Sequence, residues 1–200
     1  MVLAADHPAP SMGPDAALAK LKTGNTRFVA AATSSGKPTR ARRVATATSQ
    51  HPFAVIVGCS DSRTPPEIIF DQNIGDLFVV RTAGEVVGDY ELGSIEYAVE
   101  HLGARLIVVL GHARCGAVQA AIAGDDAPGH VGAIVRSIRP AVMAVHGQAG
   151  DPLVNSIKSN VDHVAGEIRQ KAQLGALKAD VRVVEGYYDF DTGKAWLDQR

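Results

Sequence analysis

The sequence predicts an α/β fold: a mostly parallel central β-sheet of four parallel strands plus a short edge strand, flanked by helices and preceded by an N-terminal helical arm. Short runs rich in Val, Ile, Leu and Phe at 53–57, 77–80, 106–110 and 181–187 alternate with segments whose apolar residues recur at helical spacing. The first three runs are apolar throughout, which suits strands of a parallel sheet covered on both faces. Two hundred residues can also bury one core without covalent staples.

Residues 1–13, with Pro8, Pro10, Ser11 and Gly13, read as an irregular arm on a single domain spanning 1–200. Pro14 suits the first turn of a helix and Asp15 complements its dipole, while Leu18 and Leu21 share a face. Gly24-Asn25 is expected to interrupt that helix before Phe28-Val29 resumes it. Residues 33–50 are rich in Ser, Thr, Gly, Lys and Arg and read as a loop, with room for a short helix before Gln50. Phe53–Val57 is the first strand, and Gly58 is expected to turn the chain sharply at its end.

Pro65-Pro66-Glu67 opens a short helix through Phe70, and Leu77–Val80 is the second strand. Arg81–Glu85 reads as a turn. Asp89–His101 reads as a helix that Gly103 ends. After the third strand, Leu106–Leu110, a helix runs from Gly116 to Gly124, followed by a polar turn over 125–130. Two further helices are expected around 131–146 and 152–173, separated by Gly147, Gly150 and Pro152. Val181–Tyr187 is the fourth strand, and Asp191-Thr192-Gly193 turns into a last short one at Lys194–Leu197.

Twenty Lys and Arg face 21 Asp and Glu, so no basic stripe supports nucleic-acid binding. The Arg40-Ala41-Arg42-Arg43 cluster reads as a solvated loop face. No apolar run approaches the roughly 18 residues of a membrane helix, so no membrane partner is expected. Met1–Ala5 is too short for a secretory core, and the expectation is a cytoplasmic protein. A periplasmic one follows if residue 1 succeeds a removed signal peptide.

Two stretches carry the chemistry. Val55-Ile56-Val57-Gly58-Cys59-Ser60-Asp61-Ser62-Arg63 and Leu110-Gly111-His112-Ala113-Arg114-Cys115-Gly116 each leave a strand, pass a glycine and present metal-capable side chains. Cys59, His112 and Cys115 form a soft S/N set that suits zinc, with a carboxylate or water for the fourth position. A disulfide between the two cysteines is the competing reading, but it gives no reason for Asp61, Arg63 and His112 to gather there. His112 and Cys115 are three apart, a spacing that a turn into a helix can close around one ion. A thiolate at a helix N-terminus is favoured by the dipole and free amides. Asp61 and Arg63, two apart, can form a bidentate pair. That pair is either a structural salt bridge or a switch, in which Asp61 ligates zinc or turns to Arg63 and leaves a position for water. If the first and third strands are neighbours, these groups meet at the crevice where strand order reverses.

Cys59–Arg63 followed by His112–Cys115 resembles the β-class carbonic anhydrases. So do Glu67–Gln72, Gly75–Arg81 and Gly93–Val99, while Leu21–Phe28 is similar to the family's N-terminal arm. The resemblance runs from about residue 15 to the end and is least diagnostic over 125–175. It implies zinc-dependent, reversible hydration of carbon dioxide to bicarbonate and a proton by attack of zinc-bound hydroxide. Carbonic anhydrase with a different ligand set is itself the established case of zinc bringing the pKa of water to about 7. Cys59, His112 and Cys115 are the implied ligands of one Zn2+ per chain. Asp61 is the implied fourth ligand in a closed state and the partner of Arg63 in an active one. Gln50 matches the glutamine that hydrogen-bonds substrate, and Gly116 the glycine whose amide faces the site. Phe78, Ala83 and Tyr97 match residues lining the apolar carbon dioxide pocket, often across a dimer interface. A homodimer, or a dimer of dimers forming a homotetramer, is implied.

Two positions depart from the pattern. Ile56 stands where some bacterial members carry the Trp of a regulatory bicarbonate site, although Arg81 matches the arginine of that site. Glu85 replaces the Asn of many members and is expected to add a charge near the pocket mouth. His51 reads as a loop histidine rather than a proton shuttle. The readings that compete with carbon dioxide hydration are a carbon disulfide or carbonyl sulfide hydrolase on the same scaffold, a non-catalytic zinc-stabilised binding module, and a redox protein using a Cys59–Cys115 disulfide.

Overall fold

The computed structural model describes residues 12–33, 39–124 and 127–198. The expected irregular arm at 1–13 therefore lies, up to residue 11, outside the described residues, as do 34–38 of the expected loop and 125–126 of the expected polar turn. The chain runs α1 (Pro14–Val29), α2 (Arg40–Ala45), β1 (Ala54–Cys59), α3 (Pro66–Ile69), β2 (Leu77–Thr82), α4 (Asp89–Glu100) and β3 (Leu106–His112). It continues through α5 (Gly116–Ala123), α6 (Val131–Ala144), α7 (Pro152–Lys171), β4 (Arg182–Tyr188) and β5 (Ala195–Leu197). No helix among the described residues is long and apolar enough to cross a membrane.

The strands form one sheet in the order β2-β1-β3-β4-β5, parallel except for β5, which pairs antiparallel with β4 at the edge. This is the expected four-plus-one sheet. The chain starts in the middle at β1, steps to one side for β2 and returns to the other side for β3. The reversal of strand order therefore falls between β1 and β3.

Side chains alternate across the sheet, so one register sends Val55, Val57, Ile107 and Val109 to one layer and Ile56, Leu106, Val108 and Leu110 to the other. The first layer is closed by α4 through Ile95 and Val99 and by α7 through Val161, Val164 and Ile168. The second is closed by α1 through Leu18 and Leu21, by Phe70 and by Leu197 of β5. A third apolar cluster caps the carboxyl ends of the strands, where Val118, Ile138 and Ile157 surround Cys59 and Cys115.

The structure corrects several local expectations. Helix α1 runs straight through Gly24-Asn25. Gly24 is a point of close approach: a Cβ there would lie 1.8 Å from the Phe70 carbonyl oxygen. Asn25 sits beside it because its amide donates to the Ile69 and Gly193 carbonyls and accepts from the Ala195 N–H, tying α1 to β5. Arg40–Arg43 is helical rather than loop, capped by the Thr39 side chain, and Arg42 reaches the Ile74 carbonyl and Asp76. Gly58 lies inside β1 rather than at a turn, because pairing continues through Cys59 opposite Thr82. β2 and β3 likewise extend past their apolar runs, to Thr82 and His112.

Candidate metal centre

Cys59 is the last residue of β1, His112 the last of β3, and Cys115 the N-cap of α5. β1 and β3 are parallel neighbours in register, with Gly58 opposite Leu110, so their carboxyl ends present Cys59 and His112 side by side. The chain then needs only Ala113 and Arg114, the latter at φ 53°, to bring Cys115 back over the same point. The metal-capable atoms of Cys59, His112 and Cys115 lie within 4.8 Å of one another, and all three residues are buried.

The donor set fits a metal on two further counts. His112 Nε2 is buried with no hydrogen-bond partner, while Nδ1 on the far side of the ring contacts the Ala113 carbonyl at 2.9 Å. That contact fixes the ring and leaves Nε2 as the free ligand atom. The thiols are poised as well. A hydrogen bond from Cys115, assisted by His112 and the Gly84 amide, holds Cys59 well below the usual thiol range. The same interaction together with burial pushes Cys115 up, so the pair favours one thiolate at Cys59. Burial opposes a charge on His112, and the Cys59 thiolate outweighs it, raising the imidazole pKa.

Asp61 is turned to Arg63. Arg63 Nε donates to Oδ1 at 2.9 Å and Nη2 to Oδ2 at 2.7 Å, and the Arg63 backbone N–H adds a third bond to Oδ1 at 2.9 Å. The Arg63 hydrogen bond holds the Asp61 carboxyl well below the usual carboxylate range. Asp61 Oδ2 still lies 3.9 Å from His112 Nε2, so the carboxylate stands beside the donor set without joining it.

The surroundings brace this pair. Arg81 donates through Nε to the Cys59 carbonyl at 2.8 Å and through Nη2 to the Asp61 carbonyl at 2.5 Å. Ile56 is fully buried within the sheet. Phe190, which sequence reasoning missed, lies under the Arg63 guanidinium at 4.2 Å and meets the His112 ring edge-on at 5.4 Å. The adjacent Asp191 takes a bidentate bond from Arg114.

The other sequence candidates divide. Ala83 opens the short turn Ala83–Glu85 that follows β2, and its neighbour Gly84 donates its amide to Cys59 Sγ at 3.2 Å. Gly116 is the first residue of α5, beside Cys115. Phe78, by contrast, pairs with Val55, four residues down the strand from Cys59, or about 13 Å at strand rise. Tyr97 on α4 packs against Phe78, half exposed, and exposed Gln50 and His51 precede the opposite end of β1. Within one chain these residues are not brought to the donor set. Glu85 corrects the sequence expectation most: it is fully buried, not at a pocket mouth, and takes a hydrogen bond from Asn160. Asn160 gave one signal, a polar residue on the apolar stripe formed by Ile157, Val161, Val164 and Ile168.

Residues 54–195 match the family model described as carbonic anhydrase. Over 138 residues, 67% of each chain, the sequence is 50% identical to carbonic anhydrase 2 of Mycobacterium tuberculosis. It is 47% identical over the same length to the carbonic anhydrase of Mycolicibacterium smegmatis. The β-carbonic anhydrase CafA of Aspergillus fumigatus superposes with a TM-score of 0.72, covering 92% of this chain and 89% of that one at 28% identity. The Coccomyxa β-carbonic anhydrase in complex with acetazolamide gives 0.71 at 27% identity, over 78% and 75%.

Proposed function

This chain belongs to the β-carbonic anhydrase family, and from that premise we propose that it hydrates carbon dioxide reversibly to bicarbonate and a proton at a zinc centre held by Cys59, His112 and Cys115. The observation that carries the reading is the Asp61–Arg63 pair standing beside a buried two-thiol, one-imidazole set whose Nε2 has no other partner. A zinc ion in such a set, with one position open, acts as a Lewis acid and lowers the pKa of water.

The protein's own groups do the rest. Arg63 holds Asp61 away from the donor set, which would leave a metal held by Cys59, His112 and Cys115 a position for water. Asp61, kept ionised, accepts a hydrogen bond from the reacting water and so turns a lone pair of that water toward the carbon of carbon dioxide. Asp61, if released from Arg63, would be the residue placed to hold the metal in a closed state, since Oδ2 lies 3.9 Å from His112 Nε2. The Gly116 amide, at the start of α5, faces the substrate oxygens. Gln50, Phe78 and Tyr97, distant within one chain, complete the pocket of a second copy, with Ala83 supplied beside the donor set. The active assembly is therefore a homodimer, and a pair of dimers its larger form.

The test is stopped-flow carbon dioxide hydration from pH 6.5 to 9 on protein of known zinc content, with the assembly measured by sedimentation. Turnover that scales with zinc in a dimer or larger species supports the reading. Full zinc without turnover across that range overturns it.

A further inference from the structure

Besides His112 Nε2, two buried polar atoms among the described residues lack a hydrogen-bond partner: Glu85 Oε2 and Asn160 Oδ1. They belong to one pair, and the proposed reaction uses neither. Burying an amide and a carboxyl in an apolar layer is unfavourable unless their hydrogen bonds secure something.

What they secure is visible on both sides of the Gly84-Glu85 turn. From α7, Asn160 Nδ2 donates to the Gly84 carbonyl and to Glu85 Oε1, both at 2.9 Å. From the other side of the same residue, the Gly84 N–H donates to Cys59 Sγ at 3.2 Å. The turn would not hold this shape unaided. Gly84 and Glu85 both adopt left-handed backbone, at φ 68° and 46°, the second disfavoured for a residue with a side chain. A Cβ on Gly84 would lie 2.6 Å from Ile138 Cδ1, so α6 already presses on it. Gly111, beside His112, lets α7 pack this closely: a Cβ there would come 2.5 Å from Cγ2 of Val161, the residue after Asn160. Burial pushes the Glu85 carboxyl up to about 7, which limits the negative charge it sets near the thiolate.

We propose that Asn160 and Glu85 are positioning residues for the metal centre: the Asn160 amide locks the Gly84-Glu85 turn so that the Gly84 N–H donates to the Cys59 thiolate. The inference rests on the metal reading of Cys59, His112 and Cys115 and adds a device to it. An N–H donated to a ligating sulfur withdraws charge from that sulfur, leaving the ion a stronger Lewis acid and fixing the ligand's direction.

The experiment uses full-length protein loaded with cobalt(II), whose thiolate-to-cobalt charge-transfer band reports the donor strength of sulfur. Loss of the Gly84 N–H bond shifts the band to lower energy. Asn160→Leu and Glu85→Ala, which remove the lock from opposite ends, are expected to show that shift and a metal affinity lowered about 10-fold in chelator competition. Glu85→Gln keeps the acceptor oxygen and is expected to retain the native band and affinity. Should Asn160→Leu fail to fold, Glu85→Ala with Glu85→Gln still decides the matter. An unmoved band and unchanged affinity in folded Glu85→Ala overturns the positioning role. A native protein with no thiolate-to-cobalt band overturns the metal reading itself, and the inference with it.

Discussion

Arg63 engages both oxygens of Asp61 through its guanidinium fork and adds its own backbone N–H, so the carboxylate has little freedom. Asp61→Asn and Arg63→Ala are therefore expected to keep metal content and lose carbon dioxide hydration by about 100-fold or more, the range of a positioned proton acceptor. Arg63→Lys is expected to recover only part, since an ammonium cannot reproduce the fork. Normal turnover at equal metal content in Arg63→Ala would sink the switch. Glu85 makes a prediction of opposite electrostatic sign. Its carboxyl is raised from 4.5 to about 7 in the folded state, so the fold binds the proton more tightly than the unfolded chain does. Its contribution is present below about pH 4.5 and is lost as pH rises through about 7. Glu85→Gln is expected to remove that decline, worth up to about 3 kcal/mol, from urea unfolding curves of metal-free protein at pH 5 and 8. Parallel pH profiles for the two proteins would count against it. The candidate site residues Cys59, Asp61, Arg63, His112 and Cys115 were legible because the metal-capable side chains and the ion pair beside them lie in two compact motifs. Glu85 with Asn160 was not, since its two halves lie 75 positions apart and meet only through the packing of α7 on the turn. Phe190 gave no signal that set it apart from a core aromatic.

The elements themselves were legible wherever hydrophobic pattern decides them and obscure wherever partners do. Apolar runs located β1 to β4, yet each of the first three extends beyond its run. Parallel neighbours pair through Cys59, Thr82 and His112 regardless of polarity. The Gly24-Asn25 step in α1 misled for the same reason. Glycine weakens a helix, and only the Phe70 carbonyl pressed against it explains its presence. This fixes the sign of a mutation that helix propensity gets backwards. Propensity alone predicts that Gly24→Ala stabilises by about 1 kcal/mol. A methyl group 1.8 Å from a backbone oxygen instead forces α1 away from the backbone at Phe70, and the loss expected is about 1–3 kcal/mol or more. Thermal unfolding is expected to fall by roughly 3–10 °C for a chain of this size. A raised melting temperature would show that α1 moves freely against Phe70.

At the scale of the molecule, a two-layered core and a reactive end occupy different parts of the same sheet. The strand middles, Val55–Val57 and Ile107–Val109, are held by α4 and α7 on one side and α1 on the other, and owe nothing to the donor set. The strand ends carry Cys59 and His112, with Cys115 just beyond, and are covered mainly by α5 and α6. An ion bound there would join position 59 to positions 112 and 115, acting as a clip between two segments that the chain itself connects only by a long detour. By mass action, an ion at 100 times its dissociation constant adds about 2.7 kcal/mol to folding. Stripping it with a chelator should not melt the protein as a whole. Hydrogen exchange is expected to quicken at 59–64 and 111–116 while the amides of 55–57 and 107–109 keep their protection. Uniform loss of protection would mean that sheet and centre form one cooperative unit. If the two ends do separate in this way, metal scarcity leaves a folded, refillable scaffold, and the protein can wait for its ion without being degraded as an unfolded chain.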